Sequence, residues 1–303
     1  MNRFWTKILA VAGCLILLGG LFAFRSEAAL DKVLTARLVK STFQGNVKVW
    51  ELKKNGQSFG HSIWLSGSRN RVKAKYFALR SKNVSVYDRM QHWQQNKNVI
   101  LACSGAFSTE LPGGATNGTT VGLTVDNGRI VNRNIDRTMD GLVIVLDNGG
   151  IVVSDIDNKD LEVGDKHFSV IEDKVALLNW AQNHKATIFQ TQLLAYKNAL
   201  RISRAGRKKM RERRFLALVH SPKRGLHHVI IDIPNNQYLF NAARDAFYHL
   251  KDDEKMDVVA ILNIDTGGFN ILNFNNERGQ RDFIVSGPTD IKLATNLIVY
   301  SFD

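Results

Sequence analysis

One carboxylate near the end of the chain lies in a local sequence that is suited to chemistry. Asp265 follows a nearly all-apolar run, residues 258–264, which predicts a strand buried on both faces. Thr266, Gly267 and Gly268 come directly after it. Because glycine has no side chain beyond hydrogen, a ligand can approach the backbone closely at such a turn. The sequence therefore predicts a carboxylate at a strand end with room for a ligand beside it.

The elements that must position Asp265 are strands with a few helices between them. Alternation or short apolar runs predict strands at several places: 46–52, 99–102, 121–125, 142–146, 151–154 and 229–233. Tight turns at 126–129 and 147–150 predict two hairpins in series, which is typical of antiparallel sheet. Helical spacing of apolar residues predicts helices at 83–95, 175–184 and 240–251. We therefore expect an α+β fold, a single domain at residues 40–303 whose mixed, largely antiparallel sheet is flanked by helices.

The first thirty residues predict export. Arg3 and Lys7 precede an apolar run at 8–24, and small residues at 26–29 provide a plausible cleavage point. We expect residues 1–29 to be a signal peptide or, uncleaved, an N-terminal membrane anchor, with membrane association through the run 8–24. The expected location is periplasmic or extracellular.

The charge balance predicts anionic partners. The chain has 41 Lys and Arg against 28 Asp and Glu, a formal net charge of +13. Residues 201–214 are the most basic stretch and are interpreted as a solvated loop, with attraction to anionic envelope polymers or lipid headgroups as the alternative. Because this stretch lacks interleaved aromatic residues and the chain carries an export segment, no nucleic acid is expected. Cys103 follows four apolar residues and is expected in the core. The sequence indicates no metal cluster and no cofactor, and it leaves a divalent cation open.

Three segments, in this order, resemble the phosphodiester glycosidase family: 99–107 (VILACSGAF), 121–132 (VGLTVDNGRIVN) and 260–268 (AILNIDTGG). That family carries an Asn-Gly-Gly-Phe-Phe-like turn, a Val-Gly-Leu hairpin and a late Leu-Asp-Gly-Gly-Gly-Ser-Ser loop. Residues 189–194 and 214–218 resemble two further family segments, so the resemblance covers essentially the whole mature chain. The chain would be a divergent member, because Ser104 replaces the family's Asn and Phe269 and Asn270 replace its paired serines.

The resemblance implies an exported hydrolase that cleaves a sugar 1-phosphate diester in an anionic, phosphodiester-containing glycan. Asp265 would be catalytic, and Glu110, which follows the first turn, would supply the second carboxylate that glycoside hydrolysis usually employs. Arg214 would bind phosphate as a bidentate fork. The expected substrate-binding residues are Ser104, Gly105, Phe107, Arg214, Gly267 and Gly268.

Two other functions remain as alternatives. The lost Asn and Ser residues favour a catalytically weakened envelope protein that binds saccharide and keeps the same fold. Residues 264–267 also match the apolar-Asp-Thr-Gly signature of aspartic proteases. A pepsin-like enzyme needs a second such motif, which the sequence lacks, and a retroviral-type protease carries its motif near the start of a much shorter domain. The protease is therefore the weakest of the three interpretations.

Overall fold

Strands make up most of the fold, as a computed structural model shows for residues 32–66, 71–80, 84–109, 118–203, 209–223 and 225–303. The strands are β1 (Thr35–Thr42), β2 (Val47–Lys54), β3 (Gln57–Ser66), β4 (Val72–Ala78), β5 (Asn98–Cys103), β6 (Thr124–Asp126), β7 (Arg129–Asn132), β8 (Gly141–Val145), β9 (Ile151–Asp155), β10 (Leu161–Val163), β11 (Lys166–Phe168), β12 (Thr187–Tyr196), β13 (Ala199–Leu200), β14 (Met210–Ser221), β15 (Gly225–Tyr238), β16 (Asp257–Ile264), β17 (Leu272–Asn275), β18 (Arg281–Ser286) and β19 (Asn296–Phe302). The helices are α1 (Val86–Gln94), α2 (Lys174–Asn183) and α3 (Leu239–Tyr248). A π-helical turn at His249–Asp253 continues α3, and a 3-10 turn occupies Ile291–Leu293.

Two sheets provide the framework. The larger has twelve strands in the order β1-β2-β3-β15-β14-β16-β12-β6-β7, with β8 and β13 paired to β12 and β9 paired to β8. The smaller has the order β18-β17-β5-β19-β4, and β10 and β11 form a separate hairpin. Every strand pairing among the described residues is antiparallel. The sheets therefore contain none of the parallel pairing that a mixed sheet requires, within the part of the chain described.

The main core lies between these two sheets. Leu216 and Leu262 from the larger sheet pack in one buried cluster with Leu101 and Tyr76 from the smaller one. The ring of Tyr76 stacks on that of Phe189, with 4.3 Å between centroids and 9° between planes, and both are fully buried. Such a pair adds to the free energy of burial because the offset rings attract each other. The two sheets thus form a sandwich held by interdigitated strand side chains.

The helices occupy other positions. Val86 and Met90 of α1 pack with Val299 on the face of the smaller sheet that is turned away from the main core. Helix α2 packs in a third cluster against β6 and β8 through Leu177 and Leu178. Helix α3 contacts β14, β15 and β16. The three helices cover limited parts of the sheets, and the main core consists mostly of strand residues.

The predicted α+β class, a mixed sheet flanked by helices, is wrong: the fold is β-rich, with large antiparallel sheets. The three predicted helices are present, but the sequence pattern underestimates the strands. Strand β14 begins inside the basic stretch, where Arg211 and Arg213 interrupt any apolar alternation. Long strands with charged ends of this kind lack the alternating pattern that predicts a strand.

Residues Leu34–Asp303 form one compact unit. None of the helices in the described ranges has the length and apolar character needed to span a bilayer. The segment 1–29, for which export or anchoring is expected, lies outside the described residues.

Candidate functional site

The loop that follows β16 meets the turn that follows β5. The peptide N–H of Asp265 donates to the carbonyl oxygen of Gly105 over 3.0 Å. The Asp265 side chain is 5% exposed, and its Oδ1 accepts the N–H of Gly267 over 2.8 Å. The two segments are far apart in sequence, and this hydrogen bond joins the loop after β16 in the larger sheet to the turn after β5 in the smaller sheet.

The three glycines of the site have different physical roles. A Cβ on Gly105 would lie 2.7 Å from Cε2 of the buried Tyr76, so this position needs glycine for packing. A Cβ on Gly267 would lie 3.2 Å from Oδ1 of Asp265, which is tight. A Cβ on Gly268 would meet nothing within 4 Å, and the residue is exposed. Of the three, Gly268 therefore faces the open space in which a ligand could lie.

Ser104 ties the turn to the loop. Its hydroxyl donates to the carbonyl oxygen of Phe269 and accepts the N–H of Ile271 over 3.3 Å. Its own N–H donates to the carbonyl oxygen of Ile271 over 3.1 Å, and the residue is 1% exposed. Phe107 is half-buried at the other end of the turn, where its carbonyl oxygen accepts the N–H of Val121 over 2.8 Å. Ser104 thus fixes the turn to the loop by hydrogen bonds, and Phe107 is the more solvent-accessible of the two residues.

Arg214 is buried under the loop and holds it from within the sandwich. Its Nε donates to Oδ1 of Asp232 over 2.9 Å, and Nη1 donates to the carbonyl oxygen of Ile271 over 2.8 Å. Nη2 donates to Oδ1 of Asn270 over 2.7 Å. A buried guanidinium needs such partners, because an unpaired charge in the interior is very unfavourable. The structure places Arg214 under the loop that carries Asp265, and each of its three nitrogens donates to a group of the protein. Phosphate binding by Arg214 stays a prediction.

A second carboxylate, which the sequence analysis did not identify, lies at the loop. The Asn270 side-chain amide donates to the Glu212 carboxylate, and the Thr266 hydroxyl donates to the Glu212 carbonyl oxygen over 2.8 Å. Glu212 is half-buried in β14, beside β16. The one available signal was that Glu212 is the single acidic residue of the basic stretch. Glu110, the expected partner of Asp265, lies outside the described residues.

Side-chain amides complete the surroundings of the two carboxylates. Asn296 at the start of β19 accepts the N–H of Gly105 over 3.0 Å and donates to the carbonyl oxygen of Ala106 over 2.9 Å. It supports the turn from a strand that sequence reasoning did not connect with the site. Two residues before Asp265, Asn263 donates to the half-buried Gln192 over 2.9 Å. The site thus combines two carboxylates with side-chain amides that form hydrogen bonds within the protein.

A metal-ligand cluster and an accessible thiol are both absent from the described residues of this site. In the described ranges, His, Cys, Asp and Glu side chains form no group of three or more that could hold a metal ion. Burial raises the pKa of the Cys103 thiol to about 12, so the thiolate that would act as a nucleophile is strongly disfavoured. Cys103 is therefore not a candidate nucleophile for this site.

Comparison with known proteins gives only distant likenesses. No protein-family model matches the chain, and no curated protein matches it. Among solved structures, the catalytic domain of the zebrafish N-acetylglucosamine-1-phosphodiester alpha-N-acetylglucosaminidase, auto-inhibited by its pro-peptide, is similar at a TM-score of 0.47 and 12% identity, over 92% of this chain and 86% of that one. A hypothetical protein from Synechocystis is similar at a TM-score of 0.46 and 10% identity, over 89% of this chain and 62% of that one. Likenesses at this level carry no argument about the reaction.

Proposed function

We propose that this chain is an exported hydrolase that cleaves glycosidic phosphodiesters, that is, sugar 1-phosphate diesters within an envelope or extracellular glycan. The observation that supports it is the 3.0 Å hydrogen bond from the N–H of Asp265 to the carbonyl oxygen of Gly105. It joins the two loops whose sequences resemble those of the phosphodiester glycosidases. A carboxylate, a second carboxylate at Glu212 and an exposed glycine surface thus lie at one edge of the sandwich.

The proposed reaction is a hydrolysis at the anomeric carbon. Water forms a bond to that carbon, the bond from the carbon to the phosphate oxygen breaks, and the phosphate monoester leaves with the bonding electron pair. One carboxylate takes a proton from the water, and the negative charge of the other favours the oxocarbenium-like transition state. We assign these roles to Asp265 and Glu212. The N–H of the exposed Gly268 has no acceptor in the described part of the chain and would donate to a phosphate oxygen.

The test is turnover of a sugar 1-phosphodiester, with free sugar and phosphate monoester measured as products. We expect Asp265→Asn to lower the rate by about 10²–10⁴-fold, the usual contribution of a general acid or base. The substitution keeps the side-chain oxygen that can accept the Gly267 N–H, so the fold should be retained. The matched control is Asp157→Asn on an exposed ion pair, which should leave the rate unchanged. Full activity in Asp265→Asn would exclude Asp265 from the reaction.

A second candidate is a saccharide-binding protein of the same fold without turnover. The observation that favours it is the use of Asn270, where the family has a serine, as a bridge between Arg214 and Glu212. In this bridge the Arg214 guanidinium and the Glu212 carboxylate bind Asn270, although a substrate would need both groups. Under this proposal, a panel of sugar 1-phosphodiesters would bind with equal affinity to the wild type and to Asp265→Asn, and neither protein would release free sugar.

Export is a separate part of the proposal, and it rests on the sequence of residues 1–29. Expression of the full chain in a bacterial host, followed by fractionation and mass measurement, tests it. Loss of a mass that corresponds to residues 1–29 would support a cleaved signal peptide. Full-length protein in the membrane fraction would support an anchor, and full-length protein in the cytosol would contradict export.

A further inference from the structure

A cavity with tryptophan walls opens on the larger sheet, far from Asp265. It has a volume of about 120 Å³, and Trp50 of β2 and Trp64 of β3 line it. The wall also includes His227 near the start of β15, five residues before Asp232, the partner of Arg214. Five residues of strand span roughly 17 Å. The cavity and the Asp265 loop are therefore at opposite ends of the strands.

The two indoles lie on one face of the sheet, outside the main core. Residues on either side of them along β2 and β3, such as Val49 and Ile63, belong to the core between the sheets. Because successive side chains of a strand point to opposite faces, Trp50 and Trp64 point away from that core. Trp50 pairs with Ser62 in the β2–β3 register, so it is a diagonal neighbour of Trp64. Both indoles are half-exposed and form an aromatic surface.

The two indole N–H groups differ in a way that points to a ligand. The N–H of Trp64 donates to the Ser62 hydroxyl over 3.1 Å, and the edge of its ring contacts His227 at a centroid distance of 5.9 Å. Trp64 is thus fixed in place. The N–H of Trp50 meets no acceptor among the residues whose structure is described, and it is not one of the buried unpaired groups, so it is open to solvent. A donor therefore remains available on the cavity wall.

Polar groups around the indoles define what could bind. Lys48 lines the cavity, and its ammonium forms no ion pair with any residue in the described ranges. The Asn46 amide nitrogen donates to the carbonyl oxygen of Phe43 over 2.9 Å, which leaves its oxygen as an acceptor. The Glu254 side chain, 36% exposed, adds a second acceptor.

This combination selects one class of ligand. A purely apolar ligand would desolvate Lys48 without compensating its charge, which is unfavourable. A simple anion would pair with Lys48 but would gain nothing from the two indoles. A sugar ring with an anionic substituent satisfies both parts: its C–H face packs on indole, its hydroxyls meet Trp50 N–H, Asn46 and Glu254, and its charge pairs with Lys48.

We propose that the cavity between Trp50 and Trp64 is a second saccharide-binding site, which takes a phosphorylated sugar unit of the glycan at a distance from the hydrolytic loop. The site would hold a polymeric substrate while a separate unit reaches Asp265. The role in holding substrate rests on the proposed function, whereas binding of a phosphorylated sugar rests on the cavity residues alone and does not require Asp265 to be catalytic.

The experiment follows the five tryptophan indole N–H signals of the full chain by NMR while a hexose 1-phosphate is added. We expect the Trp50 and Trp64 signals to shift and the Trp93 signal to stay. A neutral methyl hexoside and inorganic phosphate should each bind at least about tenfold more weakly than the hexose phosphate. Asp265→Asn should bind as the wild type does at this cavity, which separates the inference from the proposed reaction.

Three variants decide the outcome. In Trp50→Ala, the affinity for hexose 1-phosphate, measured from the Trp64 signal, should fall by about tenfold or more. In Lys48→Gln, the preference for the phosphorylated sugar over the neutral hexoside should be lost. The matched control is Trp93→Ala, which removes another half-exposed tryptophan that lies beside a lysine, and it should change nothing at the cavity. Trp50 and Trp64 signals that do not move, or equal binding by wild type and Lys48→Gln, would overturn the proposal. Because Lys48→Gln leaves the indoles in place, a folding defect in Trp50→Ala would not obscure the result.

Discussion

Arg214 and Asp232 form an ion pair across adjacent strands under the Asp265 loop, with 2.9 Å between Arg214 Nε and Asp232 Oδ1 and only 1% of Arg214 exposed. The pair links β14 and β15, and through Asn270 and Ile271 it also supports the loop. The catalytic proposal therefore depends on an electrostatic contact that no substrate reaches.

Removal of the carboxylate from this pair should destabilise the protein strongly. Asp232→Ala leaves the Arg214 charge buried without its partner, and we expect a loss of about 3–5 kcal/mol in the free energy of unfolding. The measurement is urea unfolding followed by circular dichroism. The control is Asp157→Ala, which breaks the exposed pair with Arg137 and should change the free energy by about 0–1 kcal/mol. Equal effects of the two variants would show that the buried pair is not important to stability.

The glycines of the site should differ in their tolerance of a methyl group. Gly105→Ala would place a Cβ 2.7 Å from the Tyr76 ring, and the displaced side chains should lower the free energy of unfolding by about 1–3 kcal/mol. Gly268→Ala would place its Cβ in open space and should leave stability nearly unchanged. Thermal unfolding of both variants compares them directly. A Gly268→Ala protein less stable than Gly105→Ala would contradict the packing described.

Glu212 should affect turnover more than stability. In Glu212→Gln the amide oxygen can still accept the bond from Asn270, so the loop should keep its support, while the negative charge is lost. We expect the rate of sugar 1-phosphodiester hydrolysis to fall by about 10²-fold or more, with little change in the melting temperature. Asp157→Asn, in the exposed pair with Arg137, is the matched control for the charge change. Wild-type turnover in Glu212→Gln would remove Glu212 from the proposed reaction.

His228 should make stability depend on pH. Burial, and then the neighbouring His227, lowers the pKa of His228 to about 4 from its ordinary value of 6.5. Between these values the unfolded chain binds a proton that the folded chain does not, so the free energy of unfolding should fall as pH falls from about 6.5 to about 4. The expected loss from this residue is about 3 kcal/mol, since one pKa unit corresponds to about 1.4 kcal/mol.

Urea unfolding between pH 7 and pH 4 measures this dependence. His228→Leu should flatten the decline, because the buried group no longer takes up a proton. His92→Gln, which changes an exposed histidine, should keep the wild-type slope. An unchanged slope in His228→Leu would assign the decline to other groups.

Cys103 should be inert in the native protein. Burial raises the pKa of its thiol to about 12, and the residue is fully buried, so a thiol reagent meets neither an exposed nor an ionised sulfur. In a Cys14→Ser background at pH 8, iodoacetamide should label Cys103 only to the extent that urea unfolds the protein. Rapid labelling without denaturant would place Cys103 in an accessible environment.

The sequence by itself determined the local features. Helical spacing located α1, α2 and α3 to within a few residues, and the apolar run before Asp265 located β16. The tight turn at 126–129 located the β6–β7 hairpin. These features depend on residues close together in the chain, where periodicity and turn chemistry act directly.

Only the tertiary structure decided the fold class, the environment of Arg214 and the second carboxylate. The partners of Arg214 are Asp232, Asn270 and Ile271, which come from other segments, so no local pattern distinguishes this buried guanidinium from a solvated one. Glu212 reaches the loop because β14 pairs with β16, and Trp50 meets Trp64 because β2 pairs with β3. Strand pairing joins residues that are distant in sequence, and the free energy of burial between two whole sheets selects the pairing. The chain's local pattern therefore predicts where a carboxylate ends a strand, and the sandwich decides what surrounds it.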